Sequence, residues 1–291
     1  MLGVLALPSY AVSRTIPCEG RLPCGRPAPR ASPSAPQPRS APTALPATAG
    51  ASVLPASAAQ SAAIPVPPAI DQTWPLTFED HFDGTGVNWT VWRDGGKNFT
   101  NGGNGELQQY VPSACTTAGS DLKICARRES AKGRAYTSGE LNTRGVFKQA
   151  YGYFEFRGQL PQGQGLWPAF WLYDETGATL EEIDVMENLG KDTTTYYMTM
   201  HDNAGGECGH AYHGVDLAQG YHKYAVKWTP EAITFYLDDV PQHQVTSHIV
   251  SRPMAIFIDL AVGGHWPGNP TDSTPLPAVF NVDYVRVWAM P

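Results

Sequence analysis

Beyond about position 76 the chain repeats one pattern, short alternating or aromatic-rich runs separated by glycine, proline, asparagine and aspartate. The clearest runs are 151–157, 196–201, 223–228, 233–237, 255–262 and 281–288. Alternation with a period of two places every second side chain on one face, which is the signature of a strand half buried in a sheet. No apolar stripe at helical spacing persists over about 11 residues without a glycine or proline. The connection Leu237-Asp238-Asp239-Val240 suits a tight hairpin turn. Many short strands within one domain predict an all-β fold of two packed antiparallel sheets, a sandwich or jelly roll. No fixed-period repeat is present.

Composition separates this pattern from what precedes it. Residues 1–70 hold 14 of the 26 prolines and 16 alanines, but a single aromatic residue, Tyr10, and a single acidic one, Glu19. Such a segment has little to bury against an ordering cost of about 1 to 2 kcal/mol per residue, so it is expected to form a disordered tail. Residues 71–291 carry all eight tryptophans and all ten phenylalanines, enough for one substantial core and so for one folded domain.

Charge divides in the same place. Five arginines and Glu19 in the tail leave 15 basic and 26 acidic residues for the domain. A domain so acidic repels a phosphate backbone, which argues against nucleic acid as a partner. No apolar run approaches the roughly 20 residues needed to span a bilayer, so no membrane partner is expected either. Residues 2–7, followed by Ser9, Ala11 and Ser13, resemble the end of a secretory signal without its positive n-region, an incomplete export signal. Cys115 and Cys125 flank a polar loop that a disulfide can close in an oxidising compartment; Cys18 and Cys24 lie in the tail and Cys208 is left over. No pair has C-x-x-C spacing, which disfavours a cysteine zinc site.

The strongest chemical signal is Glu182-Ile183-Asp184-Val185-Met186-Glu187. In a regular strand Glu182 and Asp184 share a face, whereas Glu187 has the wrong parity. It joins them only if a bulge at Val185 or Met186 inserts one extra residue. Three carboxylates on one face repel one another unless they share protons or meet a ligand. The plainer alternative is a solvated acidic edge strand. Just upstream, Trp167 and Trp171 in Leu166-Trp167-Pro168-Ala169-Phe170-Trp171 have equal parity, and Pro168 argues for an edge or irregular position. Indole faces beside paired carboxylates suit a sugar site, with core packing as the alternative for either tryptophan.

Four segments in order, 165–171, 182–188, 260–268 (L-A-V-G-G-H-W-P-G) and 282–287 (V-D-Y-V-R-V), resemble glycoside hydrolase family 16, and within it the laminarinase-like endo-beta-1,3-glucanases. The resemblance runs from about Leu76 to Trp288 and implies a jelly roll whose concave sheet forms an open cleft for a linear polysaccharide. By position Glu182 matches the family's nucleophile, Asp184 its assisting acid and Glu187 its general acid/base. A retaining glycosidase needs two such carboxyls about 5 to 5.5 Å apart. The inserted Met186 resembles the laminarinase, agarase and carrageenase branch, rather than the unbulged E-x-D-x-E of lichenases and xyloglucan enzymes. The expected activity is hydrolysis of beta-1,3-glucan with retention. A non-catalytic glucan-binding sandwich, transglycosylation, or action on mixed-linkage glucan or a galactan are the alternatives.

The resemblance also implies a set of cleft residues. Trp167 and Trp171 are expected as sugar platforms and Trp266 as an aromatic in a cleft loop. Asn104 matches the first asparagine of the family's G-N-N-E-L-Q, the second being Gly105 here. Arg157 matches an arginine facing the cleft, with a salt bridge to a strand neighbour as the alternative, and His201, ending a strand close after the catalytic one, is placed to meet sugar or Glu187, with a structural role as the alternative. Many relatives hold a structural calcium through a D-E-F glutamate and the aspartate of D-Y-V-R-V. Here the first reads Asp80-His81-Phe82, and histidine nitrogen is a poor calcium ligand, so no metal is expected and no cofactor is required. The segment 205–213 fits no family pattern and reads as a glycine-rich connection or a Cys/His metal loop. The protein is expected to act outside the cell, as a monomer, on a polysaccharide.

Overall fold

The computed structural model describes residues 64–95, 103–174, 176, 181–203 and 206–291. The tail expected over residues 1–70 lies almost wholly outside these, as do Cys18 and Cys24. Residues 66–291 belong to one compact unit. Its last approach to the sheets begins before position 71, because the Lys227 ammonium donates to the Ala69 carbonyl at 2.9 Å and lies over the Trp74 ring.

The strands, in chain order, are β1 (Leu76–Asp80), β2 (Arg93–Asp94), β3 (Gln108–Tyr110), β4 (Cys115–Thr117), β5 (Leu122–Ala126), β6 (Tyr136–Ser138), β7 (Glu140–Asn142), β8 (Gly152–Gln159) and β9 (Leu166–Tyr173). They continue with β10 (Glu182–Glu187), β11 (Thr195–His201), β12 (Glu207–His213), β13 (His222–Trp228), β14 (Ile233–Leu237), β15 (Val240–Val245), β16 (Ala255–Val262) and β17 (Ala278–Trp288). A single 3-10 turn at Pro112–Ala114 is the one helical element among the described residues. No described helix is long and apolar enough to cross a membrane.

Two antiparallel sheets form the sandwich. One runs β15-β14-β13-β8-β17-β5-β4 with β1 added on β17; the other runs β12-β11-β10-β9-β16-β7-β2. A small parallel pair, β3 and β6, lies apart. Alternation along each strand explains the core. In β8 Phe154 and Phe156 point inward, and in β9 Phe170 and Leu172 do so, all four fully buried. The Phe156 ring meets Phe170 of the facing sheet at 4.5 Å, and Tyr224 of β13 meets Tyr196 of β11 at 5.4 Å. The hairpin foreseen at 237–240 forms, with Asp238 and Asp239 both at positive φ (50° and 67°) and Leu237 paired with Val240. Two successive left-handed residues give the turn whose twist matches the flanking strands.

Several expectations need correction. β9 is interior, between β10 and β16, despite Pro168. The Pro168 carbonyl accepts from the Asn188 amide at 3.2 Å, and in a strand the N and O of one residue point the same way. The missing N–H therefore faces the segment just past Glu187, so the proline forgoes a bond beyond the end of β10 rather than within the β9–β10 ladder. Cys115 pairs with Ile124 in the β4–β5 hairpin, which puts Cys125 on the opposite face; both thiols are buried and free. Cys208, by contrast, is disulfide-bonded. The described part of segment 205–213 is not a connection but β12, paired with β11 along its whole length.

Phe156 packs on Phe170 of the facing sheet and on Tyr224 and Phe280 of its own, so Phe156→Ala is expected to destabilise by about 3 to 5 kcal/mol. A denaturant titration that gives a loss of unfolding free energy less than a third of that would show the ring to be dispensable.

Candidate active site

β10 is not an acidic edge strand; it lies between β9 and β11. Its first three residues alternate normally, Glu182 and Asp184 outward and Ile183 into the core. The register then breaks. Asp184 pairs with Trp171 but Met186 pairs with Phe170, and on the other side three steps from Asp184 to Glu187 match two from Thr199 to Tyr197. The bulge turns both Val185 and Met186 into the core, at 1% and 0% exposure, and returns Glu187 to the outer face. The three carboxyls therefore share one face.

Their neighbours set their charges. The His201 Nε2–H donates to Asp184 Oδ2 at 2.9 Å, and Glu182, Asp184 and His201 bring ligating atoms within 4.8 Å of one another. Burial alone would discharge His201, but the hydrogen bond to Asp184 and the charges of Asp184, Glu182 and Glu187 outweigh it and push its pKa up to about 10. Burial, then the charge of Asp184, raises Glu182 and Glu187 well above the usual carboxylate range. Glu182, when protonated, donates to Asp184. Glu187 stands apart from that trio, and its Oε1 accepts from the Trp167 indole at 3.0 Å. One end of the row thus carries an imidazolium and the other an indole N–H.

Aromatic rings flank the acids on both sides. Trp167 meets Trp266 edge to face at 5.3 Å, and Tyr197, the β11 partner of Glu187, lies 4.8 Å from Trp266. Further along β9, Trp171 stacks on Phe257 of β16 at 4.4 Å. Asn104 is half-buried in a loop tied to the Trp266 loop, its carbonyl accepting from the His265 amide at 2.7 Å and its side-chain amide donating to Glu106 at 3.2 Å. Trp167, Trp171, Trp266, Asn104 and His201 are thus all on elements of the acid-bearing sheet or on the loops at its end. Arg157 is not. It belongs to β8 in the other sheet, where it points outward, pairs with Asp283 and covers the Tyr221 ring. Inward Phe154 and Phe156 fix that parity, so its expected place at the cleft is corrected. Asp259, Glu140, Tyr110 and Tyr197 were not expected from sequence, although Asp259 is the one charge in the apolar run of β16.

The sequence profile of the glycosyl hydrolases family 16 matches residues 95–286. The chain belongs to this family. It is 38% identical over 241 residues to the endo-1,3-1,4-beta-glycanase EglC of Rhizobium meliloti, covering 74% of this chain and 51% of that protein. The beta-glucanase of Rhodothermus marinus is 34% identical, over 74% of this chain and 85% of its own length. Among solved structures, the endo-beta-1,3-glucanase of Pyrococcus furiosus superposes with a TM-score of 0.70 at 35% identity, over 74% of this chain and 94% of that one. The chain spans about half the length of the Rhizobium relative.

Two departures from the family pattern are visible in the structure. Gly105, where the family pattern has an asparagine, sits at φ +81°, and a Cβ there would lie 3.1 Å from the His265 ring. The calcium of many family 16 proteins does not fit the residues present. Asp283 is held by Arg157, Asp80 accepts from the Phe82 amide and the Trp92 indole, and His81 turns its Nε2 to Glu79. The histidine nitrogen stands where calcium needs a hard oxygen, both Asp80 oxygens are engaged and Asp283 is drawn to a guanidinium.

The raised pKa of His201 makes a pH prediction. With a folded value of about 10 above the ordinary 6.5, its pairing stabilises the fold fully below about pH 6.5 and fades as pH climbs towards 10. NMR titration is expected to show the His201 ring still protonated at pH 8, and Asp184→Asn is expected to bring its titration down towards the ordinary range. A wild-type ring that is neutral at pH 8 would contradict the assignment.

Proposed function

We propose that this chain is a retaining endo-beta-1,3-glucanase, with Glu182 as nucleophile, Asp184 as its assisting acid and Glu187 as general acid/base. The observation that carries the proposal is the bulge that returns Glu187 to the face of Glu182 and Asp184. Two carboxyls on one face, kept in unequal protonation states, are what double displacement requires. Burial and mutual charge raise both Glu182 and Glu187, and the His201 imidazolium opposes that rise at each of them, so the row retains protons; double displacement assigns the retained proton to Glu187 and the charge to Glu182.

In the first step a Glu182 oxygen attacks the anomeric carbon, the glycosidic C–O bond breaks, and Glu187 gives its proton to the departing sugar oxygen. In the second, Glu187, now a carboxylate, takes a proton from water as that water displaces Glu182. The indole N–H of Trp167 supports the Glu187 carboxylate in this second role. Trp167, Trp171 and Trp266 offer ring faces for pyranose stacking, and Asn104 and His201 offer polar contacts.

Similar solved structures carry names for both beta-1,3- and beta-1,3(4)-glucanases, which support a glucan substrate. A polymer substrate, and a disulfide at Cys208, support action in an oxidising compartment outside the cell.

Incubation with laminarin is expected to release reducing ends as the beta anomer first, followed by NMR, and Glu182→Gln is expected to lower the rate by at least about 10³-fold with the fold intact. Turnover by that variant at the wild-type rate would remove Glu182 from the mechanism; an alpha anomer first would remove double displacement.

A further inference from the structure

Resting on the glucanase reading, we infer that Asp259 is a positioning residue that fixes the sugar platform Trp171 through its indole N–H.

Asp259 lies on β16, opposite Ala169 of β9 on one side and Glu140 of β7 on the other. Both its oxygens are engaged: Oδ1 accepts from the Trp171 indole at 2.9 Å and Oδ2 from the Tyr110 hydroxyl at 2.7 Å. Asp259 is 7% exposed and Glu140 2% exposed, so neither is placed to grip substrate directly. A carboxylate buried beside a second carboxyl is unfavourable, and a valine or leucine would fill the same space in a strand that is otherwise apolar. What it adds is direction.

Trp171 needs that direction. One face of its indole rests on Phe257 at 4.4 Å, and Tyr173 approaches at 5.9 Å, contacts that are apolar and tolerate sliding of the ring. The hydrogen bond from Nε1 removes the sliding and sets the ring in register with Asp184, its β10 partner. A charged acceptor also enriches the indole π-face, the face that meets sugar C–H groups.

The charge is maintained by the neighbours. Burial and the Asp259 charge push Glu140 up to about 8, while Asp259 itself, raised by burial and lowered by its two donors, stands at about 6. Near neutral pH Glu140 therefore holds the proton and Asp259 the charge. Asn142 donates to Glu140 at 2.9 Å and the Arg144 guanidinium lies 4.9 Å over the Phe257 ring; both oppose the rise at Glu140 without cancelling it.

The test is a double-variant cycle in laminarin hydrolysis. Asp259→Ala is expected to raise KM about tenfold with a much smaller change in kcat, and Asp259→Asn, which keeps an acceptor oxygen, to recover most of that loss. In a Trp171→Phe background, where no N–H remains, Asp259→Ala is expected to add less than twofold. An undiminished tenfold effect in that background, or a loss confined to kcat, would overturn the proposal. If the alanine variant does not fold, the same comparison is made with Asp259→Asn, whose smaller rise in KM must also vanish beside Trp171→Phe. Wild-type turnover tests the glucanase reading by itself. Retardation of the same variants in native gels cast with laminarin tests Asp259 without turnover, and equal retardation of wild type and Asp259→Ala would sink it.

Discussion

Two consecutive core side chains, Val185 and Met186, set the geometry of everything on the outer face of the seven-stranded sheet. An unbroken strand buries one residue and exposes the next, so it cannot send two neighbours inward. β10 does so by slipping one residue against β9, and the slip is held by apolar burial on the inside. The acids outside are held together by the core beneath them. Their mutual repulsion is opposed by packing that has no part in the chemistry.

Grouping the acids has an electrostatic consequence. Like charges on adjacent positions cannot all ionise, so protons are retained and a cation is recruited. His201 enters as that cation because β11 places it opposite Glu182, and the row becomes polar from one end to the other. The same logic recurs two strands away, where Asp259 and Glu140 are register partners and burial raises both, Glu140 to about 8 and Asp259 to about 6. The outer face of the sheet is thus organised by charge, and its inner face by volume.

Much of this was legible in the amino-acid order. Runs 233–237 and 255–262 coincide with strands, the hairpin at Asp238 and Asp239 forms where its residue types demand it, and the parity of Glu187 announced the bulge. What stayed hidden depends on which strand lies beside which. Pro168 suggested an edge, but where the neighbouring strand stops is not written near the proline. Arg157 has an alternating neighbourhood that any outward strand shares, and only the sheet order assigns it to the far side. Cys115 and Cys125 are close in sequence yet face opposite ways across one hairpin. Asp259 stood out as a lone charge in an apolar strand, but its partners, Tyr110 and Trp171, come from elements 149 and 88 residues distant.

The most direct measurement is the titration of the Glu187 carboxyl by carbon NMR in the wild type and in Glu182→Gln. Shared orientation of the acids requires a Glu187 value well above the usual 4.5 for glutamate, falling when the negative charge at position 182 is removed. A Glu187 that titrates near 4.5 and ignores the change at position 182 would mean that the two carboxyls do not share a face, and the account built on the bulge would be wrong.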